Sequence, residues 1–238
     1  MNHLALAMVT SLLVFNACSN LKEASDQKRA TLSIAGEMRN VMQRGDLSAS
    51  IDLDTIQSKE HLYGIGPLDS LQGEITILDG KAYYSTLING ENFVKQGFDI
   101  KAPFFVYANV TTWNEIQVPD SVTTEIDLEH FIKTVGEKRK EPFAFRITGR
   151  IDTARIHVVH LPSGTAIRSP ADTHIGQRDY TLTSTGVEIL GFFSTNHKGV
   201  FTHHDSNVHM HLITEDRKAM GHLDNLRLRR PTTLYIQN

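Results

Sequence analysis

The stretch "SNVHMHLITEDRKAMGHLD", residues 206–224, decides how this chain is read. Polar and apolar residues alternate across it, so His209 and His211 share one face of a strand while Val208, Met210 and Leu212 point to the other. The charged run "TEDRKAMG" suits a turn that returns His222 beside the first two histidines. Side chains two apart on a strand can converge on one ion, and neutral imidazole is the commonest metal ligand. Three histidines with an open fourth position form the arrangement of catalytic rather than structural zinc. The bland reading is a set of polar residues lying along a pair of strands, and the spacing alone leaves both open.

Working outward, nine of the twelve histidines fall between His157 and His222, in a β-rich C-terminal half. His203 and His204 lie in the turn-like "THHDSN" and read as loop residues that could meet a substrate. Upstream, "FAFRITG", "ARIHVVHL" and "VEILGFFS" are short β-rich runs separated by turn-rich stretches such as "PSGTAIRSPADTH". "GEITILDGKAYYSTL" is the clearest hairpin, with Asp79-Gly80 at a turn that favours positive φ, and "PFFVYANVTTW" is a further strand. Two helices are expected. In "TLSIAGEMRNVMQRG", Ile34, Met38, Val41 and Met42 share a face and Gly45 stops the run. In "DLEHFIKTVGEKRK", Asp127 is the N-cap and Leu128, Phe131, Ile132 and Val135 form the apolar stripe. The order predicts an α+β, predominantly β protein, with mixed or antiparallel sheets and few helices. No strand–helix alternation points to a nucleotide-binding parallel sheet, and "GIG" at Gly64–Gly66 lacks the following helix of a phosphate loop.

Composition removes other classes. The formal charge of -3 over 238 residues, with no basic stripe or zinc-finger spacing, argues against nucleic acid. With 40% hydrophobic residues the chain can bury a substantial core. In residues 1–18, "MNHLALAMVTSLLVFNAC", the apolar run from Leu4 to Phe15 is too short to span a bilayer and looks like the h-region of a secretory signal. "FNAC" resembles a bacterial lipoprotein box, which would make Cys18 a lipid anchor; a plain secretory signal and a buried N-terminal segment are the alternatives. Cys18 is the single cysteine, so no disulfide forms within the chain. Residues 19–30 read as a polar tether, and residues 31–238 as one domain with two β-rich lobes meeting near residue 140. The expected location is exported, periplasmic or membrane-anchored as a lipoprotein, with the cytoplasm as alternative.

Two families share elements of this pattern. His209, His211, Glu215 and Gly221 approach the first cupin motif, H-x-H-x3-E-x6-G, but only five residues separate Glu215 from Gly221 and His203 stands at the opening glycine. "VHMHLITEDRKAMGH" resembles the H-L-H-F-I-T-x-D-R-x-x-G-G-H of the α-acetolactate decarboxylases, including the H-x-H-x10-H spacing. "GIGPLDSLQGEITILDGKAYY" is similar to that family's G-x-G-T-F-x-x-L-D-G-E segment and its second L-D-G, and "EPFAFRITG" to its F-Y-A-I-K-I-D-G. These segments run in the family's order across roughly residues 60–224.

The resemblance implies that His209, His211 and His222 bind Zn2+, that Glu74 in "LQGE" is the catalytic glutamate, and that the protein is a homodimer. It implies decarboxylation of a 2-hydroxy-3-keto acid, 2-acetolactate, to acetoin and CO2. The family's active-site arginine falls on His157 in "RIHVVHLP", with Arg155 two positions earlier on the same strand face. No glutamate follows Glu215, so the family's C-terminal acid has no counterpart and the chain reads as a divergent, shortened member. Asp224 is either its substitute or a turn or capping residue. The competing readings are another metal-dependent enzyme acting on a related keto or hydroxy acid, and an exported, non-catalytic binding protein with the same fold.

Overall fold

A computed structural model describes residues 31–139 and 142–238. The signal-like segment, Cys18 and the tether lie outside the described residues. Among those residues there are fourteen strands and two α-helices, with every strand pairing antiparallel. The N-terminal part contributes β1 (Ser33–Ala35), α1 (Met38–Arg44), β2 (Ile51–Asp52), β3 (Leu62–Pro67), β4 (Glu74–Leu78), β5 (Lys81–Ile88), β6 (Glu91–Gln96), β7 (Lys101–Ala102) and β8 (Phe105–Asn109). After these come β9 (Trp113–Gln117), α2 (Glu125–Gly136), β10 (Phe143–Val158), β11 (Arg178–Thr183), β12 (Gly186–Phe193), β13 (Val208–Thr214) and β14 (Met220–Gln237).

The first six-stranded sheet has the order β1-β8-β3-β4-β5-β6 and the second β11-β10-β12-β13-β14-β9, while β2 and β7 pair apart. The chain passes from one large sheet to the other between Asn109 and Trp113, earlier than the boundary near residue 140 that the sequence suggests. In the second sheet β14 pairs with β13 through Met220–His222 and with β10 along most of its length. Since β10 also pairs with β12, and β12 with β13, four strands close into a ring. The inward face of that ring carries Phe145, Ile147, Ile189, Leu212 and Leu234, packed with Leu128 and Ile132 of α2. The outward face carries Leu190, Phe192, Ile213 and Met220, which bury against Tyr63, Ile65 and Val106 of the first sheet. β13 is buried along its whole length, so a polar residue on its outward face is enclosed between two sheets, whereas β10 and β14 also carry exposed residues such as Arg155 and Arg227.

Most local expectations hold. The hairpin turns at Asp79-Gly80, both with positive φ. The first helix ends at Gly45 in the left-handed conformation and buries Met38 and Val41. Ile34, placed on that helix from the sequence, instead sits in β1 opposite Val106, because the helix starts only at Met38. The second helix begins earlier than expected, and Asp127 is its third residue rather than its cap. Thr124, extended in backbone, is the cap; its hydroxyl accepts from the Asp127 N–H at 3.2 Å while Asp127 Oδ2 accepts from the Thr124 N–H at 2.9 Å. This reciprocal pair satisfies two helix-end donors, so Thr124→Ala should cost about 1 kcal/mol. Urea unfolding measures that loss, and an unchanged midpoint would show that the cap is dispensable.

"FAFRITG" and "ARIHVVHL" are one strand, β10, and not two. Register shifts near Gly149, Asp152 and Ile156 absorb the polar residues between them as bulges instead of a turn. The C-terminal run "NLRLRRPTTLYIQN" continues β14, with Leu226 and Leu228 buried and Arg227 and Arg229 exposed in alternation.

Candidate metal centre

Strand pairing builds the histidine cluster. His211 of β13 lies directly opposite His222 of β14, and His209 stands two residues along on the same outward face. Ring centroids are 5.0 Å apart for His209 and His211, 5.1 Å for His209 and His222, and 5.6 Å for His211 and His222. One nitrogen from each of the three lies within 4.8 Å of the others. A Cβ at Gly221 would stand 2.4 Å from the His157 carbonyl oxygen, so only glycine lets β14 approach β10 closely enough to set His222 here.

The environment favours neutral rings. Burial lowers all three pKa values, His211 to about 3, and the positive charge of His157 adds to the lowering at His211 and His222. Nδ1 of His209 and Nε2 of His211 are buried and have no hydrogen-bond partner among the described residues. Nδ1 of His211 is engaged by Thr76 Oγ1 at 3.2 Å, which fixes that ring and leaves its other nitrogen free. Orphaned, neutral, converging imidazole nitrogens fit a zinc-type cation and would otherwise be an uncompensated cost of burial. Glu215, the ligand in the cupin alternative, is exposed in the turn after β13.

Glu74 comes from the first sheet, where Gly73 lets the chain enter β4. A Cβ at Gly73 (φ +151°) would lie 1.9 Å from the Ser85 carbonyl oxygen, so the glycine of "LQGE" is a steric requirement. The Glu74 side chain is 4% exposed; Oε2 is 3.6 Å from His211 Nε2, and Oε1 accepts from the Val159 N–H at 3.3 Å. Burial raises its pKa to about 8, against the opposing pull of the His157 charge and the Val159 hydrogen bond. The same burial pushes His211 the other way, so the two partners of this contact are shifted in opposite directions.

His157 is buried, its ring 4.7 Å from that of His222, and its Nδ1 is 2.8 Å from Asp224 Oδ1. Burial alone would lower the His157 pKa; the hydrogen bond to Asp224 and the charge of Glu74 outweigh it, and the net direction is upward. Asp224 is neither a turn nor a capping residue. Arg155 faces Asn225 and Ile156 faces Leu223, so Asp224 is the extra residue of a β-bulge, which aims its carboxylate at His157. Arg155 Nε lies 3.6 Å from Asp224 Oδ2, with its side chain 58% exposed, so it stands at the rim of the cluster. A cavity of about 460 Å³ opens beside His222 and Asp224, and His203 lines it.

The structure thus brings Glu74, His157, His209, His211 and His222 together and leaves Arg155 at the edge. Sequence reading passed over Thr76, whose only signal was its position two residues after Glu74 on one strand face. His204 points to solvent as a loop residue should, whereas its neighbour His203 turns inward.

Known proteins resemble this chain in sequence and in fold. Residues 37–238 match the profile of the family described as alpha-acetolactate decarboxylase. An alpha-acetolactate decarboxylase of Lactococcus lactis is 25% identical over 170 residues, covering 67% of this chain and 65% of that protein. One from Methanosarcina mazei is 25% identical over 167 residues, covering 70% and 56%. The match therefore spans under two thirds of the length of these relatives. The crystal structure of alpha-acetolactate decarboxylase from Bacillus subtilis strain 168 superposes with a TM-score of 0.71 at 22% identity, over 87% of this chain and 86% of that one. With a family profile matched from α1 to the last strand and the same fold, the chain belongs to the alpha-acetolactate decarboxylase family.

Proposed function

We propose that this chain is a zinc-dependent decarboxylase that converts 2-acetolactate to acetoin and CO2. The observation that carries the reading is the converging trio of imidazoles with the buried carboxyl of Glu74 3.6 Å from one of them. His209, His211 and His222 would hold the zinc ion, which when bound supplies Lewis acidity toward the hydroxyl and ketone oxygens of the substrate.

Loss of CO2 leaves the electron pair of the broken C–C bond on the substrate as an enediolate, and one proton delivered to carbon completes acetoin. Glu74 would deliver and accept that proton; it is buried, and among the described residues its hydrogen bond is at Oε1, from the Val159 N–H. His157, fixed by Asp224, would hold the substrate carboxylate or stabilise developing negative charge, the part played in the family by the missing arginine. Arg155 assists from the rim through the same Asp224. Enclosure between two sheets keeps bulk water from these groups and strengthens each electrostatic contact.

The test is acetoin release from racemic 2-acetolactate by the zinc-loaded protein. Release should stop when a chelator strips the metal and return when zinc is restored. A zinc-loaded, folded protein that forms no acetoin would overturn the proposal.

A further inference from the structure

We propose that His203 is a substrate-binding residue, whose imidazole N–H holds the carboxylate of a small 2-hydroxy acid in the cavity beside His222. The inference deepens the functional reading above and rests on it for the class of ligand.

Three observations carry it. The connector between β12 and β13 places two consecutive histidines in opposite settings. His204 has a side chain 92% exposed, while His203 turns inward to line the cavity of about 460 Å³. Nε2 of His203 is buried with no hydrogen-bond partner among the described residues, a state that a ligand oxygen would relieve. Its ring lies 5.0 Å from that of His222 and 6.1 Å from that of His209, beside the metal-binding group yet outside the three residues whose nitrogens converge.

The chemistry of the wall narrows the ligand. No lysine or arginine lines this cavity, and Glu125, Glu129, Asp205 and Asp224 all do. Ser206, another wall residue, donates its hydroxyl to Glu129, and His222 belongs to the metal-binding group. His203 is the one uncommitted side-chain N–H donor along the wall. An acid entering past four carboxylates needs such a donor next to the metal-binding nitrogens. A neutral imidazole can give it one hydrogen bond without a second buried charge. The apolar side of the wall, Val208, Met210 and Leu223, suits the alkyl part of the same molecule.

The probe is 2-hydroxyisobutyrate, which offers the carboxylate and hydroxyl but has no 3-keto group and cannot lose CO2 by this route. Its binding to zinc-loaded protein is measured by calorimetry, with metal content determined in parallel. We expect His203→Ala to weaken binding about tenfold, the worth of one such hydrogen bond. Zinc content should be unchanged, His203→Gln should recover part of the affinity, and His204→Ala should bind as wild type does.

Probe affinity unchanged in both His203 variants would overturn the inference, and so would wild-type protein that does not bind the probe. Loss of zinc in His203→Gln would also overturn it, since His203 would then be a metal ligand. If wild type forms no acetoin and yet binds the probe in a His203-dependent way, the decarboxylase reading fails and the binding role stands. If acetoin forms and His203→Ala leaves KM unchanged, the binding role fails alone.

Discussion

Replacing His211 by alanine is expected to abolish metal binding and, with it, decarboxylation. His211 is fully buried, its Nδ1 engaged by Thr76, and its Nε2 is an orphaned nitrogen converging with those of His209 and His222. Two imidazoles cannot replace three. Loss of a residue behind a metal ligand costs about 10–100-fold in affinity or activity, and loss of a ligand itself should exceed that. Zinc content should fall from about one ion per chain to background, as befits a three-histidine catalytic site. Thermal unfolding provides the second measurement. A ligand that binds only the folded state raises stability by about 2.7 kcal/mol at a hundredfold excess over its Kd. Wild type should therefore melt higher with zinc than without, and His211→Ala should melt at one temperature in both. Wild-type zinc content in a folded His211→Ala protein would show that the cluster is a set of buried polar residues and no metal centre.

The second large effect belongs to Glu74. Glutamine preserves the volume of the side chain and can still accept from the Val159 N–H, but it cannot pass a proton to substrate carbon. Glu74→Gln should retain zinc and fold normally while turnover falls roughly 10²–10⁴-fold, the usual worth of a positioned acid–base group. The alternative, a strand residue tying the first sheet to the second through Val159 and His211, predicts near-normal turnover with altered stability. The two variants therefore fail differently: His211→Ala through loss of metal, Glu74→Gln with the metal in place. Were Glu74→Gln to turn over substrate at the wild-type rate, the proton would have to come from another group.

Much of this site is legible along the chain, because it depends on period. Alternation puts His209 and His211 on one strand face, and a hairpin-length interval returns His222 opposite His211. The turn at Asp79-Gly80, the glycine stop at Gly45 and the buried Leu128 and Ile132 of the second helix likewise follow from local chemistry. Local pattern also shows its limits. It divides β10 into two strands, because a bulge and a turn look alike until the partner strand is known. It also makes Asp127 a cap, because both members of a capping box are good capping residues.

Glu74 illustrates the harder part. In the sequence it is one carboxylate before a β-rich run, 137 positions from His211, and nothing local says whether it meets water or protein. Packing of the first sheet against the outward face of the strand ring encloses it, and enclosure is what raises its pKa to about 8. Asp224 meets His157 for a comparable reason: a one-residue offset between β10 and β14 leaves it unpaired and turns its carboxylate toward that ring. His203 and His204 are the same residue type in adjacent positions, and only the path of the connector sends one into the cavity and the other to solvent. Residue order sets which side chains can share a strand face, since that is fixed by the two-residue repeat of the backbone. Which of them become dry, neutral and close to a partner from another strand is set by sheet packing and register, which depend on contacts far apart in the chain.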